Sequence, residues 1–199
     1  MAVLLYDSRV SGNCFKVRLL FALLGIEYER REVDVIDRSG RPELLGDLNP
    51  GLRVPTLVFD DGRPLAESDA ILFYFAEGTE YLPDDRYARA QVLQWMFFEQ
   101  YSHEPNIAVL RFWAHAGIEG DEAEVAAKRE GGYRALEAME GHLAGREFFV
   151  GEAPTVADIA LYAYTHVAAE GGFEMDRFGA IGEWLGRISA LPGYISIDS

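Results

Sequence analysis

Apolar and polar positions change rhythm along this chain. Val3–Tyr6 (VLLY) is a short apolar run and reads as a buried strand. After the polar break DSRV, Cys14–Leu24 follows a helical period. Phe15, Leu19 and Ala22 form one stripe, Lys16 and Arg18 interrupt the run, and Gly25 is placed to end the helix. Tyr28–Val35 (YERREVDV) alternates with period two and predicts a second strand. A polar stretch over 36–53 carries a short irregular helix around Pro42–Leu45. Thr56–Phe59 and Pro64–Glu67, joined at Asp60-Asp61-Gly62, predict a hairpin, and Ser68–Glu77 a third helix with Ser68 as its N-cap. The order β-α-β-(α)-β-β-α places a parallel pair and an antiparallel pair in one mixed four-stranded sheet.

The second half keeps only the helical period. Tyr87–Trp113 is a long stretch with a kink expected near His103-Glu104-Pro105. Asp121–Leu143 follows, with a glycine pair at 131–132 that weakens the pattern in its middle. Thr155–Ala169 and Phe178–Leu191 complete the set. Thr155-Val156-Ala157-Asp158 is a capping box written with Asp, a structural signal. The expected organisation is a sheet-bearing domain over 1–78, a linker over 79–86 and an all-helical domain over 87–199.

Composition narrows the class. The chain has 199 residues, 49% apolar and 26% charged, which is globular and large enough for a real core. A formal net charge of −15 argues against nucleic acid or an anionic membrane as partner. One cysteine excludes an internal disulfide and a cysteine-rich metal site, and suits a reducing compartment. With neither a leader-like start nor a membrane-length apolar run, the expected location is the cytoplasm, and no metal is expected.

Three short stretches carry candidate chemistry. SGNC at 11–14 places a hydroxyl, an amide and a thiol at the mouth of the first helix. Unpaired N–H groups and the helix dipole stabilise an anion there, a thiolate included. Ser11 has no histidine nearby in sequence, so it suits a thiolate stabiliser better than a hydrolase nucleophile; Asn13 is equally able to cap. Cys14 in a first turn is a candidate for a lowered pKa, set against the more ordinary reading of a small buried residue. Arg53-Val54-Pro55-Thr56 puts a proline before a strand, where a cis bond would expose the Val54 backbone to an extended ligand. Glu67-Ser68-Asp69 opens a helix with groups suited to a carboxylate and an ammonium on one carbon. A ligand with a thiol, a peptide middle and an α-amino acid end could touch all three, and glutathione has that composition.

In this order and spacing SGNCFKVRLL (11–20), NPGLRVPTLV (49–58), ESDAIL (67–72) and TVADIALYAY (155–164) resemble the bacterial cytosolic glutathione S-transferases over essentially the whole chain. The resemblance implies an α/β thioredoxin-like N-terminal domain plus an all-α C-terminal domain. It implies Val54 and a cis Pro55 at the cysteinyl part of glutathione, Glu67 and Ser68 at the γ-glutamyl end, and Arg53, joined by Arg38 or Arg41, at the glycyl carboxylate. Ser11 stands where serine-type classes carry the thiolate-stabilising hydroxyl. Asn13 matches the nu-type Thr-Pro-Asn motif, here Ser-Gly-Asn. Tyr6 is a weaker candidate hydroxyl than Ser11. The acceptor pocket would draw on Tyr101, His103 and Phe112. The implied activity is a glutathione transferase acting on a small hydrophobic electrophile, with glutathione as co-substrate, no other cofactor and a homodimeric state. The alternatives are a glutathione-dependent disulfide reductase and a non-enzymatic binding module of the same fold.

Overall fold

Alternation along the first strand sets up the sheet domain. In the computed structural model, which describes residues 3–199, β1 (Val3–Asp7) sends Val3 and Leu5 to one face of the sheet and Leu4 and Tyr6 to the other. On the first face they meet Val17 and Phe21 of α1 (Gly12–Leu24), Leu57 of β3 (Thr56–Phe59) and Ile71 of α3 (Ser68–Ala76). On the second they meet Val33 and Leu45, the latter on the short α2 (Arg41–Leu45). With β2 (Glu29–Glu32) and β4 (Pro64–Ala66), the sheet order is β2-β1-β3-β4; β2 runs parallel to β1, and β3 is antiparallel to both of its neighbours. This is the mixed sheet that the pattern predicts.

Several boundaries differ from the sequence expectation. β2 stops at Glu32 because Asp34 accepts from the N–H groups of Ile36 and Asp37 and turns the chain away, although Val33 still donates to Asp7. The hairpin strand ends at Ala66. Glu67, at φ 69° and ψ 116°, is the N-cap of α3, so Ser68 is the first helical residue and not the cap. Its hydroxyl is thereby released for contacts outside its own helix.

The chain divides into two compact units, one comprising residues 3–77 with 191–199 and the other residues 78–190. The final segment joins the first unit although it follows the last helix. Arg18, 1% exposed, explains this: it donates to the Asp7 carboxylate and to the carbonyls of Ser8, Arg9 and Ile197, so the tail supplies one of the acceptors that its buried guanidinium needs.

The second unit is helical: α4 (Arg86–Phe98), α5 (Glu104–Ala116), α6 (Glu122–Leu143), α7 (Val156–Thr165) and α8 (Gly179–Ser189). Between α4 and α5, residues Glu99–His103 form a π-helical turn. Pro105 has no N–H to give the Tyr101 carbonyl, and the ladder widens just before it. Every residue of α7 is buried, which is why its sequence is apolar all round. The expected capping box is present: Asp158 accepts from Thr155 N–H and Oγ1, and also from Phe149 N–H and Trp184 Nε1. α7 ends at Thr165, short of the expected Ala169, and a 3-10 turn follows at Ala168–Gly171. α6 runs unbroken through Gly131 and Gly132. A Cβ on Gly132 would overlap the Phe173 ring, and one on Gly131 would crowd the Asn106 amide, so packing places both glycines there. No described helix is long and apolar enough to cross a membrane.

Candidate active site on the first unit

Strand register brings three separate sequence motifs to one end of the sheet. Tyr6 pairs with Thr56, and Thr56 pairs with Ala66. The exit of β1 toward Ser11, the entry to β3 from Val54–Pro55 and the exit of β4 toward Glu67–Ser68 therefore share an edge.

At the exit of β1, Ser11 is the N-cap of α1, its Oγ accepting from Cys14 N–H at 3.3 Å. A hydroxyl that accepts a cap bond keeps its hydrogen for another partner, so capping and thiolate donation are compatible roles. The first turn of α1 holds no acidic side chain, which leaves the positive end of its dipole uncompensated from within the helix. Cys14 lies under this mouth, fully buried, its Sγ accepting from Ser8 N–H. Burial first, and the Asp7 carboxylate second, push its thiol far above the ordinary range. The lowered-pKa reading of Cys14 is thus reversed: the dipole acts, but desolvation of the charged form outweighs it. Tyr6 is also set aside. It is buried in the cluster with Val33 and Leu45, and its hydroxyl accepts from Arg31.

At the entry to β3 the Val54–Pro55 peptide is cis, and no described residue hydrogen-bonds the Val54 N–H or C=O. The loop before it is shaped by Asn49, 6% exposed, which donates to the Arg53 carbonyl and Thr56 Oγ1 and accepts from Gly51 N–H. Sequence reading passed over Asn49; the Asn-Pro pair at 49–50 is the signal that pointed to it. Arg53 is exposed. Arg41 donates to the carbonyls of Asp34, Val35 and Leu52, so it holds the loop together and is not at hand for a ligand carboxylate.

At the exit of β4, Glu67 is a non-glycine residue in the left-handed half of backbone space, a strain that recurs at ligand clamps. Ser68, 4% exposed, donates to Asn13 Oδ1 at 3.3 Å, a contact across 55 positions of sequence. Lys16 lies behind both. Its side chain has no exposure; Nζ donates to Ser68 Oγ at 3.4 Å and pairs with Asp69 Oδ1 at 3.1 Å. Asp69 Oδ2 is buried and has no hydrogen-bond partner among the described residues. Sequence reading took Lys16 only as a break in an apolar stripe. A lone Lys inside a helix that is otherwise buried was the available signal, since such a charge needs a partner.

The three acceptor-side candidates separate. Tyr101, 87% exposed, borders a cavity of about 280 Å³ within the second unit, together with Phe98, Ser102, Asn106 and Arg134. His103 is fully buried on the π turn, with Nε2 at 2.9 Å from Thr165 Oγ1, and is not among the walls of that cavity. Phe112 is half-buried and is not among the walls of that cavity. Among the described residues no group of three His, Cys, Asp or Glu side chains is placed to hold a metal ion.

Comparison with known proteins agrees with this geometry. The family profile described as "Glutathione S-transferase, N-terminal domain" matches residues 10–77, and "Glutathione S-transferase, C-terminal domain" matches 71–192. The chain is 42% identical to a crystal structure of a glutathione S-transferase from Pseudomonas fluorescens, with a TM-score of 0.95 and 99% of each chain covered. It is 30% identical to the glutathione S-transferase-like protein LUC7 of Fusarium sp, over 92% of this chain and 86% of that protein. It is 26% identical to the disulfide-bond oxidoreductase YfcG of Escherichia coli, over 90% of this chain and 87% of that protein. Two family profiles that together span residues 10–192, on a fold and a motif order that agree with them, establish that this chain belongs to the glutathione S-transferase family.

Proposed function

We propose that this chain binds glutathione on the first unit and activates its thiol for attack on a small hydrophobic electrophile. The observation that carries this reading is the meeting of Asn13, Ser68 and Asp69 at the sheet edge that also bears Ser11 and the cis Pro55. Glutathione lies along the strand entry, its cysteinyl amide paired with the Val54 backbone. Ser68 and the first N–H groups of α3 receive the γ-glutamyl carboxylate, and Glu67 with the unmatched Asp69 Oδ2 receives the ammonium. Exposed Arg53 neutralises the glycyl carboxylate. The thiol then sits at the mouth of α1, where Ser11 donates its remaining hydrogen to the sulfur and Asn13 assists.

Lowering the thiol pKa by one unit corresponds to about 1.4 kcal/mol. One hydrogen bond to a charged group supplies that much. The thiol proton goes to solvent; at an aryl halide the thiolate bonds to the ring carbon and the halide departs with its electron pair, and at an enone it bonds to the β-carbon while the enolate formed takes up a proton. The test is calorimetric titration with reduced glutathione, on the wild type and on Ser68→Ala, followed by a screen of aryl halides and enones. Absence of saturable binding at millimolar glutathione would overturn the reading in favour of a binding module.

A second reading, disulfide reduction by glutathione, is favoured by Asn13 beside Ser11 and by the similarity to the Escherichia coli oxidoreductase. Turnover of a mixed disulfide with no turnover of electrophiles would select it. A homodimer accompanies either reading, and its face is suggested by Tyr87, Phe97 and Tyr101, exposed by 69% or more along α4 and its π extension. Sedimentation velocity tests it, with Phe97→Glu expected to give monomers.

A further inference from the structure

The buried ammonium of Lys16 carries a consequence for Asn13. An ammonium only donates, whereas a serine hydroxyl has one hydrogen and two lone pairs. With Lys16 Nζ on one lone pair of Ser68 Oγ, the single hydrogen of Ser68 must find an acceptor, and the atom that faces it is Asn13 Oδ1. An amide that accepts through oxygen on one side presents its Nδ2 hydrogens on the other. The direction of donation thus runs Lys16 to Ser68 to Asn13, with the Asn13 amide oxygen turned toward Ser68. Asp69, 3.1 Å from Nζ, balances the charge of Lys16 and holds it in register with the first turn of α3.

We propose that Lys16 is a positioning residue that orients Asn13 through Ser68, and that a carboxylate arriving at Ser68 releases this hold. The hydrogen that Ser68 gives to Asn13 is the one that a docking carboxylate claims. Filling the α-amino acid corner is therefore felt at the amide beside the thiol site, across the two helix starts. The relay stands on the ligand-free geometry, whereas the carboxylate that answers it rests on the glutathione reading above.

Side-chain amide NMR of Asn13 tests both parts, the resonances being assigned by their loss in Asn13→Ala. In the ligand-free protein, Lys16→Met and Ser68→Ala should each move the Asn13 Nδ2 resonances, and Lys16→Met should add nothing further in a Ser68→Ala background. Ser68→Ala keeps the Lys16–Asp69 pair, so it decides the matter even where Lys16→Met fails to fold. Unchanged Asn13 resonances in folded Ser68→Ala, or an equal Lys16→Met effect with and without Ser68, would overturn the relay. Saturation with γ-glutamyl-alanyl-glycine, which carries the corner group and no sulfur, should move the same resonances in the wild type but not in Ser68→Ala. Equal movement in both would overturn the release step. If calorimetry shows that the wild type does not bind the tripeptide, the glutathione reading and the release step fail together, and the ligand-free comparison still decides the relay.

Discussion

The mouths of α1 and α7 begin from the same local rule and end in different uses. Each opens with a hydroxyl residue that accepts a backbone N–H from its own first turn, Ser11 from Cys14 and Thr155 from Ala157. At α7 the box is closed. Asp158 in the first turn accepts from four donors, two of them from Phe149 and Trp184 outside the helix, and the start is 4% exposed or less at Thr155 and Asp158. At α1 the box is open. No acid occupies the first turn, Ser11 reaches solvent, and Asn13 turns across to α3. A helix start whose donors are all met stabilises the fold. A helix start left unmet at its positive end can bind an anion.

Substitutions should separate the two mouths. The largest effect is expected at Asp158→Ala, which leaves two backbone N–H groups and an indole N–H buried without an acceptor. It should destabilise by about 3 kcal/mol or more, read as a fall in the urea midpoint, with glutathione affinity of the folded protein unchanged. A loss under about 1 kcal/mol would show that the box is not the support described here. Ser68→Ala should reverse the pattern, with little loss of stability and a rise in the glutathione Kd of about tenfold or more, equivalent to about 1.4 kcal/mol. Next come the two caps. Thr155→Ala should destabilise by about 1 kcal/mol and leave the bound thiol alone. Ser11→Ala should cost about 0.5 kcal/mol, the low end for a cap, and raise the titration midpoint of bound glutathione by about one pH unit, followed by thiolate absorbance. An unmoved midpoint would remove Ser11 from the activation step.

The smallest effect sits beneath the same mouth. Because its pKa is raised, Cys14 stays neutral through mildly alkaline pH, so the native protein should resist iodoacetamide and become labelled only on unfolding, as mass spectrometry would read. Rapid labelling of the folded protein would restore Cys14 as a candidate for chemistry.

Much of the fold was legible because it rests on short-range patterns. A short apolar run marked the first strand and a period-two run the second, Gly25 and Gly62 marked a helix end and a hairpin turn, and the Thr155–Asp158 spacing marked a cap. The illegible parts depend on partners distant in the chain. The glycine pair in α6 looked like a helix weakness and is a packing requirement set by Phe173 and Asn106. His103 was expected at a pocket, but it is buried on the π turn that precedes Pro105, with Thr165 Oγ1 at its ring nitrogen. Ser68 looked like a cap and is a first-turn residue, because Glu67 takes the strained cap geometry.

By itself the sequence determined which elements form, in what order, and which residue types stand at their ends, since propensity, period and capping act over a few neighbouring residues. The tertiary structure alone decided the surroundings of each polar group. It drew Lys16 against Ser68 and Asp69, more than fifty positions away, buried Cys14 beneath the helix mouth it shares with Ser11, and returned Ile197 to Arg18. Desolvation and hydrogen-bond polarity depend on whatever else occupies the surrounding few ångströms, and in a folded chain most of that comes from elsewhere in the sequence.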